Sequence, residues 1–336
     1  MPQKIRTVCA NNAAIAPGKE KREKTKKAEI PVGTNEISVC LHIGIFRQMA
    51  YNIRCYDTDE RKYRLVCGTN TTMSQPRRII DFHVHIFPEK IAAKAVAATG
   101  GYYGITMDHN GTIPDLLASG ARINCSRYLV HSTATRPDQV GSVNDFICHA
   151  AAEHPEFIPF GTLHPKMENL EAEVDRIIAN GVYGVKMHPD FQDFKVDDED
   201  VLYMYAALAG RLPVLLHMGD INTDKTTPER LYNVINRFPN LTVIGAHFSG
   251  YSVWDRAENV LKGTGIYVDT SSSLPFMTPE RATELVHAFG ADHCLFGTDY
   301  PMWDHEEELA RFMALALTEP ERELILHENA ERLLNL

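Results

Sequence analysis

No apolar run in this 336-residue chain approaches the roughly 18 residues that span a bilayer, so a helical membrane anchor is not expected. The first 30 residues lack the apolar core of a secretory signal. Cysteine supplies no framework, because the seven are odd in number, irregularly spaced and without a Cys-x-x-Cys pair. That pattern argues against a disulfide scaffold and a zinc ribbon, and fits reduced thiols in a cytoplasmic protein. Basic charge is short as well: 34 Lys+Arg face 44 Asp+Glu, for a net charge of −10, and no nucleic-acid partner is expected. The 44% of hydrophobic residues is enough for a full core.

Charge divides the chain. Residues 1–72 hold 13 Lys+Arg against 7 Asp+Glu, which leaves 21 against 37 for the rest. The run Lys19-Glu20-Lys21-Arg22-Glu23-Lys24-Thr25-Lys26-Lys27 reads as solvated and disordered. Four of the seven cysteines lie in this part, and the apolar residues between 37 and 50 show no clear period. Met73-Ser74-Gln75-Pro76-Arg77-Arg78 then precedes a strand, as a protein start would. The expected organisation is an extension over 1–72, upstream of a natural start at Met73, and a single domain over 73–336. A targeting arm or partner-binding tail is the alternative for the extension.

What the chain does have is histidine at the ends of apolar runs. Ile79-Ile80-Asp81-Phe82 closes on His83-Val84-His85, and residues two apart in a strand share a face. Paired imidazoles at a strand end suit a divalent metal, although one His-x-His among 15 histidines can arise by chance. The pattern recurs, however. Similar runs end near His131, at His164, His188, His217 and His247, then at Asp269 and Asp299. From the second strand on they repeat at roughly 22 to 30 residues, about one βα unit each. Helical periodicity fills the gaps over 170–180, 201–209, 228–238 and 279–289. Two of these helices open on Thr227-Pro228-Glu229 and Thr278-Pro279-Glu280, with Thr as N-cap and Pro at the first helical position.

Eight such units predict an α/β fold, a (β/α)8 TIM barrel with an N-terminal extension outside it. Strands buried on both faces explain the near-continuous apolar runs. Their C-terminal ends, where active sites of this fold lie, would carry His83, His85, His164, His188, His217, His247 and Asp299. A doubly wound sheet would not gather the first and last strands around one point.

From about Arg78 to Leu336 the chain resembles the amidohydrolase superfamily, in its amidohydrolase-related (amidohydrolase 2) group, which includes aminocarboxymuconate-semialdehyde decarboxylase. The resemblance is carried by Asp81-Phe82-His83-Val84-His85, Gly184-Val185-Lys186-Met187-His188-Pro189, Leu216-His217, Ala246-His247 and Phe296-Gly297-Thr298-Asp299-Tyr300-Pro301. It implies His83, His85 and His217 as metal ligands, with Asp299 contacting the metal or its water. His247 would stay off the metal and move protons. Such a metal lowers the pKa of bound water toward ~7. One divalent ion is expected, zinc ahead of manganese. A second would require Lys186 to be carboxylated as a bridge, with His247 then ligating it. Otherwise Lys186 pairs with a substrate carboxylate or an acidic neighbour. His164 and His188 either bind substrate or cap strand ends, and Asp299 has a plainer alternative as a helix N-cap.

The reaction expected first is hydrolysis of an ester, lactone or amide of a small organic acid. A non-oxidative decarboxylase of a small aromatic or unsaturated acid is the alternative, with Lys186 and Arg136 as candidate cationic anchors. A non-catalytic barrel comes third. Selection would fall to the stretch 86–126, where Thr99-Gly100-Gly101-Tyr102-Tyr103-Gly104 reads as a flexible lid or an ordinary loop. Trp254 and Trp303 would form an aromatic rim. The expected partner is a small-molecule substrate, with a homodimer as a further expectation.

Overall fold

The computed structural model describes the backbone of residues 36–43 and 47–54, and residues 78–107 and 109–336 throughout. Two units divide the chain, Met1–Ser74 and Gln75–Leu336. In the first, β1 (Glu36–Ile43) and β2 (Arg47–Arg54) form an antiparallel hairpin with Glu36 opposite Arg54 and Ile43 opposite Arg47. This differs from the unpatterned segment expected there. Ile37, Val39, Leu41 and Ile43 do alternate with Ser38, Cys40 and His42, the period of a strand. The charged run 19–27 and Met73 lie outside the described residues.

In the second unit eight parallel strands follow one another in sequence order around a barrel. They are β3 (Ile80–His85), β4 (Arg127–His131), β5 (Phe157–Gly161), β6 (Gly184–Met187), β7 (Val214–Leu216), β8 (Val243–Gly245), β9 (Tyr267–Asp269) and β10 (Cys294–Leu295). Closure between the last strand and the first is made by individual bonds. Phe82 N–H donates to the Phe296 carbonyl and His85 N–H to that of Tyr300, both at 2.8 Å, while Asp299 N–H donates to the His83 carbonyl at 2.9 Å. Ile80, Phe82, Leu129, Ile158, Phe160, Leu215, Ile244 and Leu295 pack together in one apolar cluster, with Ala330 and Leu334 against it. Two positions beyond Leu129 and Leu215, on the same strand face, come His131 and His217. In β3 a register shift between Asp81 and Val84 moves the face over, so that His83 follows the core residue Phe82 directly.

The helices between the strands are α1 (Glu89–Tyr103), α2 (Ile113–Ala121), α3 (Val140–Glu153), α4 (Leu170–Ala179), α5 (Pro189–Gln192), α6 (Leu202–Leu208), α7 (Pro228–Arg237), α8 (Trp254–Leu261), α9 (Pro279–Phe289) and α10 (His305–Met313). After them come α11 (Glu319–Glu323) and α12 (Asn329–Leu334). Thr227 and Thr278 cap α7 and α9 as their sequences predict, accepting from the N–H of Arg230 and Arg281. None of the described helices is long and apolar enough to cross a membrane.

Candidate active site

Six imidazoles and three charged side chains converge at the C-terminal mouth of the barrel. His83, fully buried, has its Nδ1 at 2.9 Å from Asp269 Oδ2 and 3.0 Å from Ser271 Oγ. Its Nε2 lies 3.3 Å from Asp299 Oδ1 and 3.0 Å from Lys186 Nζ. The same Asp299 oxygen is 3.2 Å from His85 Nε2, so it bridges the two rings of the His-x-His pair. His247 Nδ1 meets the Ser271 carbonyl at 2.9 Å, and its Nε2 meets His217 Nδ1 at 3.0 Å. His188 stacks on His217 with ring centres 3.9 Å apart, and Tyr103 Oη stands 2.9 Å from His188 Nε2 and 3.3 Å from His217 Nε2.

Asp269 holds both sides of this cluster. One oxygen faces the His83 ring, and the other accepts the backbone N–H of His247 at 2.9 Å. The second bond fixes His247 where its backbone takes a left-handed φ of 62°, as Asp299 also does. Non-glycine residues adopt that conformation at a cost of about 1–3 kcal/mol and concentrate at functional sites. Asp81 does similar work at the strand ends. It accepts from His83 N–H at 3.1 Å, and from Thr298 N–H at 3.0 Å and Thr298 Oγ1 at 2.5 Å, which ties the residue before Asp299 to the start of β3.

Burial governs the charge states. It drives His85 and His247 down to about 4, against the pull of Asp299, and His131, His188 and His217 well below the ordinary histidine range. Burial also lowers Lys186 to about 8 despite Asp299 and Asp269. It would raise both aspartates, but the facing histidines outweigh it. Asp269 sits at about 2 and Asp299 well below the carboxylate range. At neutral pH the site therefore offers uncharged imidazoles and ionised carboxylates, the protonation states that a divalent metal binds.

The hydrogen-bond network also suits a metal. If His83 Nδ1–H faces Asp269 and His217 Nδ1–H faces His247, each Nε2 presents a lone pair to the site, the tautomer that outer carboxylates and acceptors select. Both nitrogens of His131 and Nδ1 of His188 are buried without a hydrogen-bond partner, and such groups normally have one. Ligand atoms within 4.8 Å of one another fall into three groups: His83 with His85 and His131, His83 with His247 and Asp299, and His188 with Asp190 and His217. The expected set is thus brought together in part. His83, His85 and Asp299 meet at one oxygen, while His217 reaches them through His247.

Other expected residues fall elsewhere. His164 is buried at the end of β5 but does not line the cavity, and its Nδ1 accepts the N–H of Lys166 at 3.1 Å. Arg136 is exposed and bound to Asp138, away from any substrate carboxylate. The N-cap of α10 is Asp304, not Asp299. Trp254 and Trp303 form no rim. They stand behind the site, donating to the His247 carbonyl at 3.0 Å and to Ser272 Oγ at 2.9 Å. The aromatic wall is instead Phe87, Tyr102, Tyr103, Phe191 and Tyr251 around a cavity of about 780 Å³. Thr99–Tyr103 is the last turn of α1, not a loop, and Tyr102 O–H donates to Asp220 at 2.8 Å. Among site residues, Asp269 and His131 carry the same sequence signal as the others, an ionisable group ending an apolar run. Ser271 carries none.

These features define a metal-dependent barrel enzyme, and the family follows from comparison. Residues 80–336 match the amidohydrolase family, and the chain belongs to it. Three solved structures share the fold. One is an uncharacterised TIM-barrel protein of Bordetella bronchiseptica (22% identity, TM-score 0.62, 77% of this chain and 98% of that one). Another is a dihydroxybenzoic acid decarboxylase of a Polaromonas species, with bound manganese and the inhibitor 2-nitroresorcinol (15%, 0.61, 77% and 97%). The third is the 5-carboxyvanillate decarboxylase of Sphingomonas paucimobilis (13%, 0.60, 77% and 99%). No curated protein matches the chain.

Proposed function

We propose that this chain is a metal-dependent lyase that removes carbon dioxide from a small aromatic or unsaturated acid. The observation that carries the proposal is the contrast within one cavity: a polar floor of His85, His188, His217, His247 and Asp299 under walls made largely of aromatic and aliphatic side chains. Loss of carbon dioxide spreads a localised carboxylate charge into the substrate, and a dry, apolar site favours that dispersal. Two of the structural relatives, decarboxylases of hydroxylated aromatic acids, support this order of readings, which reverses the one expected from sequence.

His83, His85, His217 and Asp299 would hold one divalent ion, zinc or manganese. When bound, it supplies a positive centre that draws the substrate's oxygen atoms to the floor and stabilises developing charge. His247 does the proton work. With Nδ1–H held by the Ser271 carbonyl, its Nε2 accepts the proton of a substrate hydroxyl and returns it to the carbon that has lost carbon dioxide. Asp269 and Ser271 orient the rings.

Hydrolysis remains the second reading because of a specific feature. His188, Asp190 and His217 form a second ligand group, and Lys186, held by burial at about 8, has an amine available for carboxylation. The test incubates metal-loaded protein with dihydroxybenzoic acids and, separately, with aromatic esters and lactones. Carbon dioxide release that is lost in Asp299→Asn supports the lyase. Ester or lactone cleavage without any carbon dioxide release would replace it with the hydrolase.

A further inference from the structure

Helix α1 turns its apolar stripe away from the protein core. Of its 15 residues only Ala92 and Gly100 are buried. Ile91, Ala95, Ala98 and Tyr102, at helical spacing, line the cavity instead, and Ile91 and Tyr102 are 44% and 47% exposed. Across from them Val143 and Phe146 of α3 line the same cavity. The floor of that cavity is the metal-binding cluster, so the stripe and the chemistry share one space. Its volume of about 780 Å³ lies in the roughly 300–1,000 Å³ range of sites that enclose drug-sized ligands, far more than a single-ring acid fills. Among the lining residues Lys90 is the one lysine or arginine, and it is exposed.

We infer that the preferred substrate has one carboxyl group at the floor and an apolar substituent of several carbons lying along α1, between α1 and α3. The carboxyl end of this inference rests on the proposed decarboxylation. A second carboxylate placed along α1 would be desolvated with no buried cation beside it, a costly arrangement. Compact diacids such as 5-carboxyvanillate, the substrate named for one structural relative, therefore suit this cavity poorly.

The test is equilibrium binding to the metal-loaded full chain of benzoate, its para-propyl, para-butyl and para-pentyl derivatives, and isophthalate. The dissociation constant is expected to fall about three- to fourfold per added methylene, the gain from burying each one. Ala95→Phe and Val143→Phe are expected to flatten that series by filling the space. A flat series in the unaltered protein, or isophthalate binding more tightly than para-pentylbenzoate, would overturn the proposal. A stripe covered by a second copy, or by residues 1–77, would give the same flat series and overturn it equally. Binding needs no turnover. A retained chain-length gain without carbon dioxide release would refute the proposed chemistry while supporting the apolar arm.

Discussion

Asp269 touches the histidines on either side of the metal-binding cluster and never reaches the cavity itself. Its carboxylate sets the His83 tautomer through Nδ1 and anchors the His247 backbone, so replacing it should act through those two groups. Asp269→Asn is expected to weaken metal binding about 10- to 100-fold, the usual cost of losing an outer carboxylate. Titration of apoprotein with zinc or manganese measures it, and unchanged affinity would remove Asp269 from this role. The part it plays was only half legible. An acidic residue ending the apolar run Ile266–Val268 is visible in the sequence, but the ring it faces lies 186 positions away. His83, His85, His217, His247 and Asp299 are easier to find because several of them fall in matching motifs. What no motif conveys is that Asp299 bridges His83 and His85 while His217 pairs with His247. That depends on the shift in β3 and on left-handed turns at His247 and Asp299.

Helix α1 shows where local signals mislead. Thr99-Gly100-Gly101 reads as a chain breaker, yet the helix runs through it to Tyr103 and ends at Gly104, whose φ is 67°. The two glycines have different reasons to be there. A Cβ on Gly100 would come within 2.7 Å of the Ile105 carbonyl oxygen, whereas one on Gly101 would meet nothing within 4 Å. Gly101→Ala should therefore raise stability by up to about 1 kcal/mol through helix propensity. Gly100→Ala should lower it, and denaturant unfolding of the pair checks the difference in sign. Helix α10 carries a second test. Burial pushes the Glu308 carboxyl up to about 8 in spite of its pairing with Arg311. A carboxyl whose folded pKa lies above its unfolded value favours the fold at low pH, and that favour is lost as pH rises from the unfolded value to the folded one. The melting temperature of Glu308→Gln relative to the unaltered protein should accordingly climb between pH 5 and 8 and level off above. A difference independent of pH would contradict the buried-carboxyl assignment. By contrast, the eight barrel strands were legible throughout, since burial on both faces leaves them almost wholly apolar.

Across the whole molecule, fold and chemistry meet at one end of a barrel whose interior is otherwise filled by side chains. Sequence order alone places first and last strands together in a closed barrel, which is why residues as distant as His83 and Asp299 share a centre. The hairpin of β1 and β2 was not foreseen, because charge dominated the composition around it. The substrate cavity was foreseen only as a location. Its walls come from helices whose inward faces depend on packing, so Trp254 and Trp303 supported the site while Tyr103 and Tyr251 lined it. Everything proposed for function depends on the imidazole and carboxylate cluster being a metal centre. Elemental analysis of the full chain, purified without chelator, measures that most directly, beside the double variant His83→Ala, Asp299→Ala. The account expects about one equivalent of zinc or manganese per chain, lost in the variant, as for a catalytic site with three histidines and a carboxylate. No retained metal, or the same content in both proteins, would contradict it.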